Sequence, residues 1–145
     1  MAVFTGNKVG LKVGTTDLSA YVTSVTLNQE FDQLEITSMG DLGHKYVAGL
    51  ENSSISIEFN ADFAASAVNQ TINGATAGNG LVGSTASLTI LPDKLTAVGA
   101  SNPLYTATCF VSQWPQVYSV AELATVSVTW PVNGNITKAI TGTFW

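Results

Sequence analysis

Arginine is absent, and five lysines stand against ten acidic residues, a net charge of −5 over 145 residues. Lys8, Lys12, Lys45, Lys94 and Lys138 are dispersed along the chain. Tight binding of nucleic acid needs clustered Arg or Lys against phosphate, so a DNA- or RNA-gripping protein is not expected. Cysteine occurs once, at Cys109, so no disulfide can form within the chain. Its strand-like neighbours, TATCFVSQW, suit a small buried apolar residue. Histidine also occurs once, as His44. One His and one Cys do not make a zinc set of three or four ligands. A His44–Asp41 pair has no GxSxG nucleophile to serve, so no hydrolase is indicated. No apolar run approaches the ~20 residues that span a bilayer. The opening MAVFTGNKVG lacks the basic-then-apolar order of a signal peptide.

Charged residues make up only 10% of the chain, against about 25% in an ordinary soluble domain. Ser, Thr, Asn and Gly take their place. Such a surface suits extensive protein contact, because burying hydroxyls and amides costs less than burying ions. The length suits one domain over residues 1–145, with a real hydrophobic core.

The chain is organised around residues 21–63, where two alternating segments flank a glycine-bearing loop. The first puts Thr23, Val25, Leu27 and Phe31 on one face and Ser24, Thr26, Asn28, Glu30 and Asp32 on the other. The second alternates Ile55, Ile57 and Phe59 with Ser54, Ser56, Glu58 and Asn60. Side chains of a strand point to alternate sides, so both read as strands with one buried and one wet face. Gln29 breaks the apolar face, and Leu34 and Ile36 resume it in the opposite phase, which predicts a bend or bulge over residues 29–32.

Elsewhere, VGLKV (9–13) reads as a strand, and Asp17 as a cap for a short helical turn over LSAY. DFAASAVNQTI (62–72) reads as a short helix, with Phe63, Ala67 and Val68 on one face. Gly78, Gly80 and Gly83 match a bare GxGxxG. A dinucleotide turn follows a strand and opens a helix, and here the order is reversed, so a flexible loop is expected. STASLTILPD (84–93) is a strand. PLYTATCFVSQW (103–114) is apolar on both faces and reads as a central strand. ATVSVTWP (124–131), the turn Asn133–Gly134–Asn135 and NITKAITGTFW (135–145) read as a closing hairpin, with Ile136, Ile140 and Phe144 on one face. Two large aromatics at the end, Phe144 and Trp145, predict a terminus tied into a sheet or an interface. Burying one is worth roughly 2–3 kcal/mol.

Together these segments predict a mainly β fold: a β-sandwich or distorted barrel of about seven to eight strands with one short α-helix. Glu30, Asp32, Glu35 and Asp41 lack the spacing of a calcium loop. Trp114, Trp130 and Tyr118 are candidates for a sugar-stacking platform, with core or interface packing as the plainer reading. The residues alone indicate a non-enzymatic β domain for assembly or binding, with no metal or cofactor.

Three stretches carry a family resemblance: D-L-S-A-Y-V (17–22), E-I-T-S-M-G-D (35–41) and A-G-L-E-N-S-S-I-S-I-E-F-N-A-D-F (48–63). With N-P-L-Y (102–105) and the closing segment, the chain resembles the major tail, or tail tube, proteins of long-tailed bacteriophages. The resemblance implies a virion structural protein whose hexameric rings stack into a tube, with itself and other tail proteins as partners. It implies that DNA passes without tight binding, that no membrane is involved, and that the protein is made in the host cytoplasm and ends in the phage tail. Within it, Ser38–Leu50 would reach a neighbouring ring, with Ser38, Met39, Asp41, Leu42, His44, Lys45 and Tyr46 as contacts. The helix, Asp62–Gln70, would lie outside an inner barrel. Glu30, Asp32, Glu35 and Glu58 would face the lumen, and Phe144 and Trp145 would make a C-terminal contact. Capsid decoration proteins share much of this architecture and are the rival reading, followed by a carbohydrate-binding β-sandwich.

Overall fold

A computed structural model describes residues 6–65, 67–74 and 80–144. Its strands are β1 (Gly10–Val13), β2 (Thr16–Asp17), β3 (Val22–Asn28), β4 (Phe31–Glu35), β5 (Tyr46–Glu51), β6 (Ser54–Asn60), β7 (Thr85–Leu91), β8 (Leu104–Phe110), β9 (Gln116–Val117), β10 (Thr125–Pro131) and β11 (Thr137–Ala139). One α-helix, α1, covers Val68–Asn73. Five strands form a sheet in the order β11-β8-β7-β1-β2, four form a second in the order β3-β6-β10-β9, and β4 pairs only with β5.

The alternation read from the sequence builds the core. β6 sends Ile55, Ile57 and Phe59 inward, and β10 sends Val126, Val128 and Trp130. Their residues pair directly, Ile57 with Val128 and Ile55 with Trp130. Leu11, Val13, Leu88, Ala107 and Cys109 of the five-stranded sheet join the same cluster, and α1 adds Val68 and Ile72. β8 lies between β11 and β7, away from the sheet edge, but it ends at Phe110, and Thr108 and Phe110 leave its outer face exposed instead of covered on both sides. At Thr23 the register of β3 against β6 slips by one residue, so Val22 and Val25 both reach the core while Ser24 faces out. The turn before β3 forms as expected, with the Ser19 N–H donating to the Asp17 carboxylate at 3.0 Å.

Four other expectations are corrected. The helix starts at Val68, not Asp62. Asp62 instead caps a local turn, its Oδ1 accepting from the Ala64 N–H at 2.9 Å, and Phe63 stays half-exposed. The segment Ser38–Leu50 is not all loop, since β5 begins at Tyr46. Asn133–Gly134–Asn135 does not close a hairpin: β10 belongs to the four-stranded sheet, whereas β11 pairs with β8. The turn carries the chain between sheets, with Gly134 at φ 110° and the Asn133 N–H donating to the Thr108 carbonyl at 2.7 Å. The last strand is only Thr137–Ala139, and Ile140 leaves the face shared by buried Ile136 and Phe144. Phe144 is tied in as expected, beside Gly10 and beneath the Lys12 ammonium, 5.2 Å from its ring centroid. Trp145 lies outside the described residues.

Candidate functional site

Three surfaces stand out, each following from where the alternating pattern stops being internally satisfied. The first is an arm. β3 and β6 end together at the pair Asn28–Ser54, and the chain between them leaves the sandwich as the β4–β5 hairpin. Polar groups clamp its base. The Glu30 N–H donates to Ser53 Oγ at 3.1 Å, and the Asn52 N–H to the Glu30 carbonyl at 2.7 Å. The Glu51 carboxylate accepts from the Gln29 amide at 3.0 Å and from the Ile136 N–H at 2.7 Å. These donors, the Gln29 amide foremost, hold the Glu51 carboxyl below its usual range.

The tip is also locally closed. The Asp41 carboxylate accepts from the Ser38 N–H at 2.7 Å and meets Lys45 Nζ at 2.7 Å. Lys45, then Ser38, lowers the Asp41 pKa. His44 Nδ1 lies 2.9 Å from Glu35 Oε1, and the His44 and Tyr46 rings stack with centroids 6.2 Å apart. Among the described residues, the apolar side chains of the arm lie outside the core cluster. Met39 and Leu42 are fully exposed, and Leu34, Ile36, Val47 and Leu50 are about half-exposed or more. A two-stranded hairpin is marginal alone in water, and a contiguous bare apolar surface marks a contact site.

The second surface is the outer face of the four-stranded sheet. Thr26, Ser56 and Thr129 lie side by side across β3, β6 and β10, and Ser56 Oγ lies 3.1 Å from Thr129 Oγ1. Ser24, Glu58 and Ser127 form the next row. Glu58 is the ionisable group of these two rows. Both sides of the sheet are open to pairing, since β3 has a neighbour on one side only and β9 reaches only Thr125 and Val126 of β10. Exposed edges of this kind template the addition of another strand.

The four proposed lumen carboxylates are not one cluster. Glu58 stands on the sheet face. Glu30 sits at the rim nearest the arm, its carboxylate accepting from the Asn28 amide at 3.1 Å. Asp32 and Glu35 belong to the arm. The seven proposed contact residues, by contrast, all fall on the arm's tip and the start of β5.

The third surface is the loop that follows β9. Val117 at the end of β9, and Tyr118, Val120 and Leu123 between β9 and β10, are all exposed. A turn holding Val, Tyr, Val and Leu with no Gly, Asn or Asp was the available signal. Ala121 there adopts φ 63°, which a residue with a Cβ rarely takes. The sugar platform is overturned. Trp130 is completely buried, with its Nε1–H donating to the Gln113 carbonyl at 3.0 Å. Trp114 packs on Phe59 at 5.5 Å between centroids and donates to Asn69 Oδ1 at 3.1 Å. Only Tyr118 remains on the surface, and one ring makes no platform. Of the GxGxxG match, Gly78 lies outside the described residues, and α1 precedes it while β7 follows.

No family model and no curated protein matches the chain. Solved structures do. The fold is similar to the tail tube of SPP1, determined by solid-state NMR and cryo-EM, with a TM-score of 0.71 at 10% identity over 96% of this chain and 80% of that one. It is similar to a chain in the virion of a native gene transfer agent particle, with a TM-score of 0.67 at 12% identity over 94% and 99%. A third similarity is to the tail of an empty gene transfer agent particle refined helically with C6 symmetry, with a TM-score of 0.63 at 13% identity over 97% and 100%. The chain has the tail tube fold.

Proposed function

We propose that this chain is a non-enzymatic structural subunit of a virion tail tube, forming six-membered rings that stack around a channel for DNA. The β4–β5 arm carries the reading, because among the described residues its apolar side chains are exposed and lie outside the core cluster. The fold likeness to tail tubes supports it, and the C6 symmetry of one such tail supports six copies per ring.

The four-stranded sheet supplies the inner wall. Its open edges join those of neighbouring copies, closing the ring and removing the edges that would invite aggregation. Its hydroxyl face, with one Glu58 per copy, looks into the channel. Repeated negative charge repels the DNA backbone, so DNA slides rather than sticks. Glu30 lies at the rim of this wall, while Asp32 and Glu35 act within the arm. The arm reaches the next ring through Met39, Leu42 and their neighbours, and α1 lies away from the channel.

Light scattering with electron microscopy over a concentration series tests this. The intact chain is expected to form hollow tubes. A variant in which residues 37–44 are replaced by Asn-Gly is expected to stop at single rings or smaller species. Tubes of normal length from that variant would refute the arm's role. Trimers from the intact chain would support a capsid decoration protein instead.

A further inference from the structure

We infer that the arm of one copy docks on the apolar loop 117–123 of the next copy along the tube. The inference rests on the tube reading and names the receptor that the arm requires. The arm leaves the four-stranded sheet at the Asn28–Ser54 end. Loop 117–123 enters that sheet at the opposite end, where Thr125 pairs with Asn60 and the Ala61 N–H donates to the Ala124 carbonyl. The strands between are seven residues long, so the sheet alone sets the base of the arm roughly 20 Å from the loop.

Two bare, unlike surfaces at opposite ends of one sheet define a head-to-tail contact. Each copy then uses its arm on one neighbour and offers its loop to another, and the contact propagates without closing. Pairing of arm with arm would stop after two copies. Val120 is 98% and Leu123 77% exposed, a match for Met39 and Leu42 on the arm tip. The Asp41 carboxylate at the tip is already paired with Lys45, so docking does not set it as a bare charge against Glu122 of the loop. A few such side chains per partner fall short of the roughly 800 Å² per partner of a free-standing interface. Repetition around a ring makes up the difference, because simultaneous contacts act as one multivalent attachment.

The test is chemical crosslinking of the full chain with a short bismaleimide, using the double variant Leu42→Cys/Val120→Cys and each single variant. Native Cys109 is fully buried, and burial pushes its thiol up to about 11, so it stays silent. The expected result is a ladder of covalent oligomers from the assembled double variant and monomers from each single one. Assembled tubes that yield no ladder would overturn the inference while leaving the tube reading intact. Dimers from Leu42→Cys alone would overturn it in favour of arm-to-arm pairing. Failure of the unmodified chain to assemble at any concentration would remove the tube reading, and this inference with it.

Discussion

At the scale of single residues, the fold depends on a few close approaches and buried polar contacts. A Cβ at Gly10 would meet Phe144 Cζ at 2.8 Å and Lys94 Cβ at 2.9 Å. Gly10→Ala should displace the Phe144 ring and cost about 1–3 kcal/mol, measured by denaturant unfolding. Asp93 and Asn102 are both buried and shape the segment between β7 and β8. Asn102 Oδ1 accepts from the Asp93 N–H at 3.0 Å, and its amide donates to the Asp93, Thr96 and Ala97 carbonyls. The Asp93 carboxylate accepts from the Leu95 N–H, foremost, and from the Thr96 hydroxyl, which lowers its pKa. A carboxyl depressed in the folded state stabilises above its unfolded value. That contribution disappears as pH falls through the folded value. Asp93→Asn should therefore melt lower than the parent at neutral pH but lose less stability between about pH 5 and about pH 3. A parallel pH profile in thermal melts would contradict this assignment.

At the scale of elements, the arm is structurally separable. Among the described residues its strands pair only with each other, and its apolar side chains face solvent rather than the core cluster. The Ile36 N–H donates to the Lys45 carbonyl at 2.9 Å, so Asn-Gly in place of residues 37–44 leaves a two-residue hairpin of favoured type. This variant should keep the parent's melting temperature to within a few degrees, since its ΔΔG is of surface size. A large loss of stability would show that the tip supports the fold. Elements with strict period-two patterns, β3, β6, β7 and β10, were legible in the sequence, as was the break at Gln29, because one buried face dictates them locally. The partition of β10 and β11 between sheets was not legible, since Asn-Gly-Asn serves a crossing as well as a hairpin. Nor was β5 legible: its residues, YVAGLE, bury neither face within the chain, so no alternation marks it. The helix start was misread because Asp62 caps a turn as readily as a helix.

At the scale of the whole molecule, the low charge and high hydroxyl content fit the proposed assembly, because burying hydroxyls costs less than burying ions. The open sheet edges, the exposed arm and the exposed apolar loop at the far end are the surfaces that the proposed assembly would cover. The proposed function was less legible than the fold, because the groups it calls on would act between copies, where no intrachain contact records them. If the hydroxyl face lines a channel, Glu58→Lys with Glu30→Lys should leave assembly unchanged but slow DNA ejection from particles carrying both. Ejection at the parent's rate would move the wall elsewhere.

The most direct test is a helical cryo-EM reconstruction of the assembled, purified chain. The account predicts six copies per ring, with the face bearing Ser56, Glu58 and Thr129 turned to the channel. A reconstruction with that face turned outward, or a different closed assembly with no channel, would contradict it.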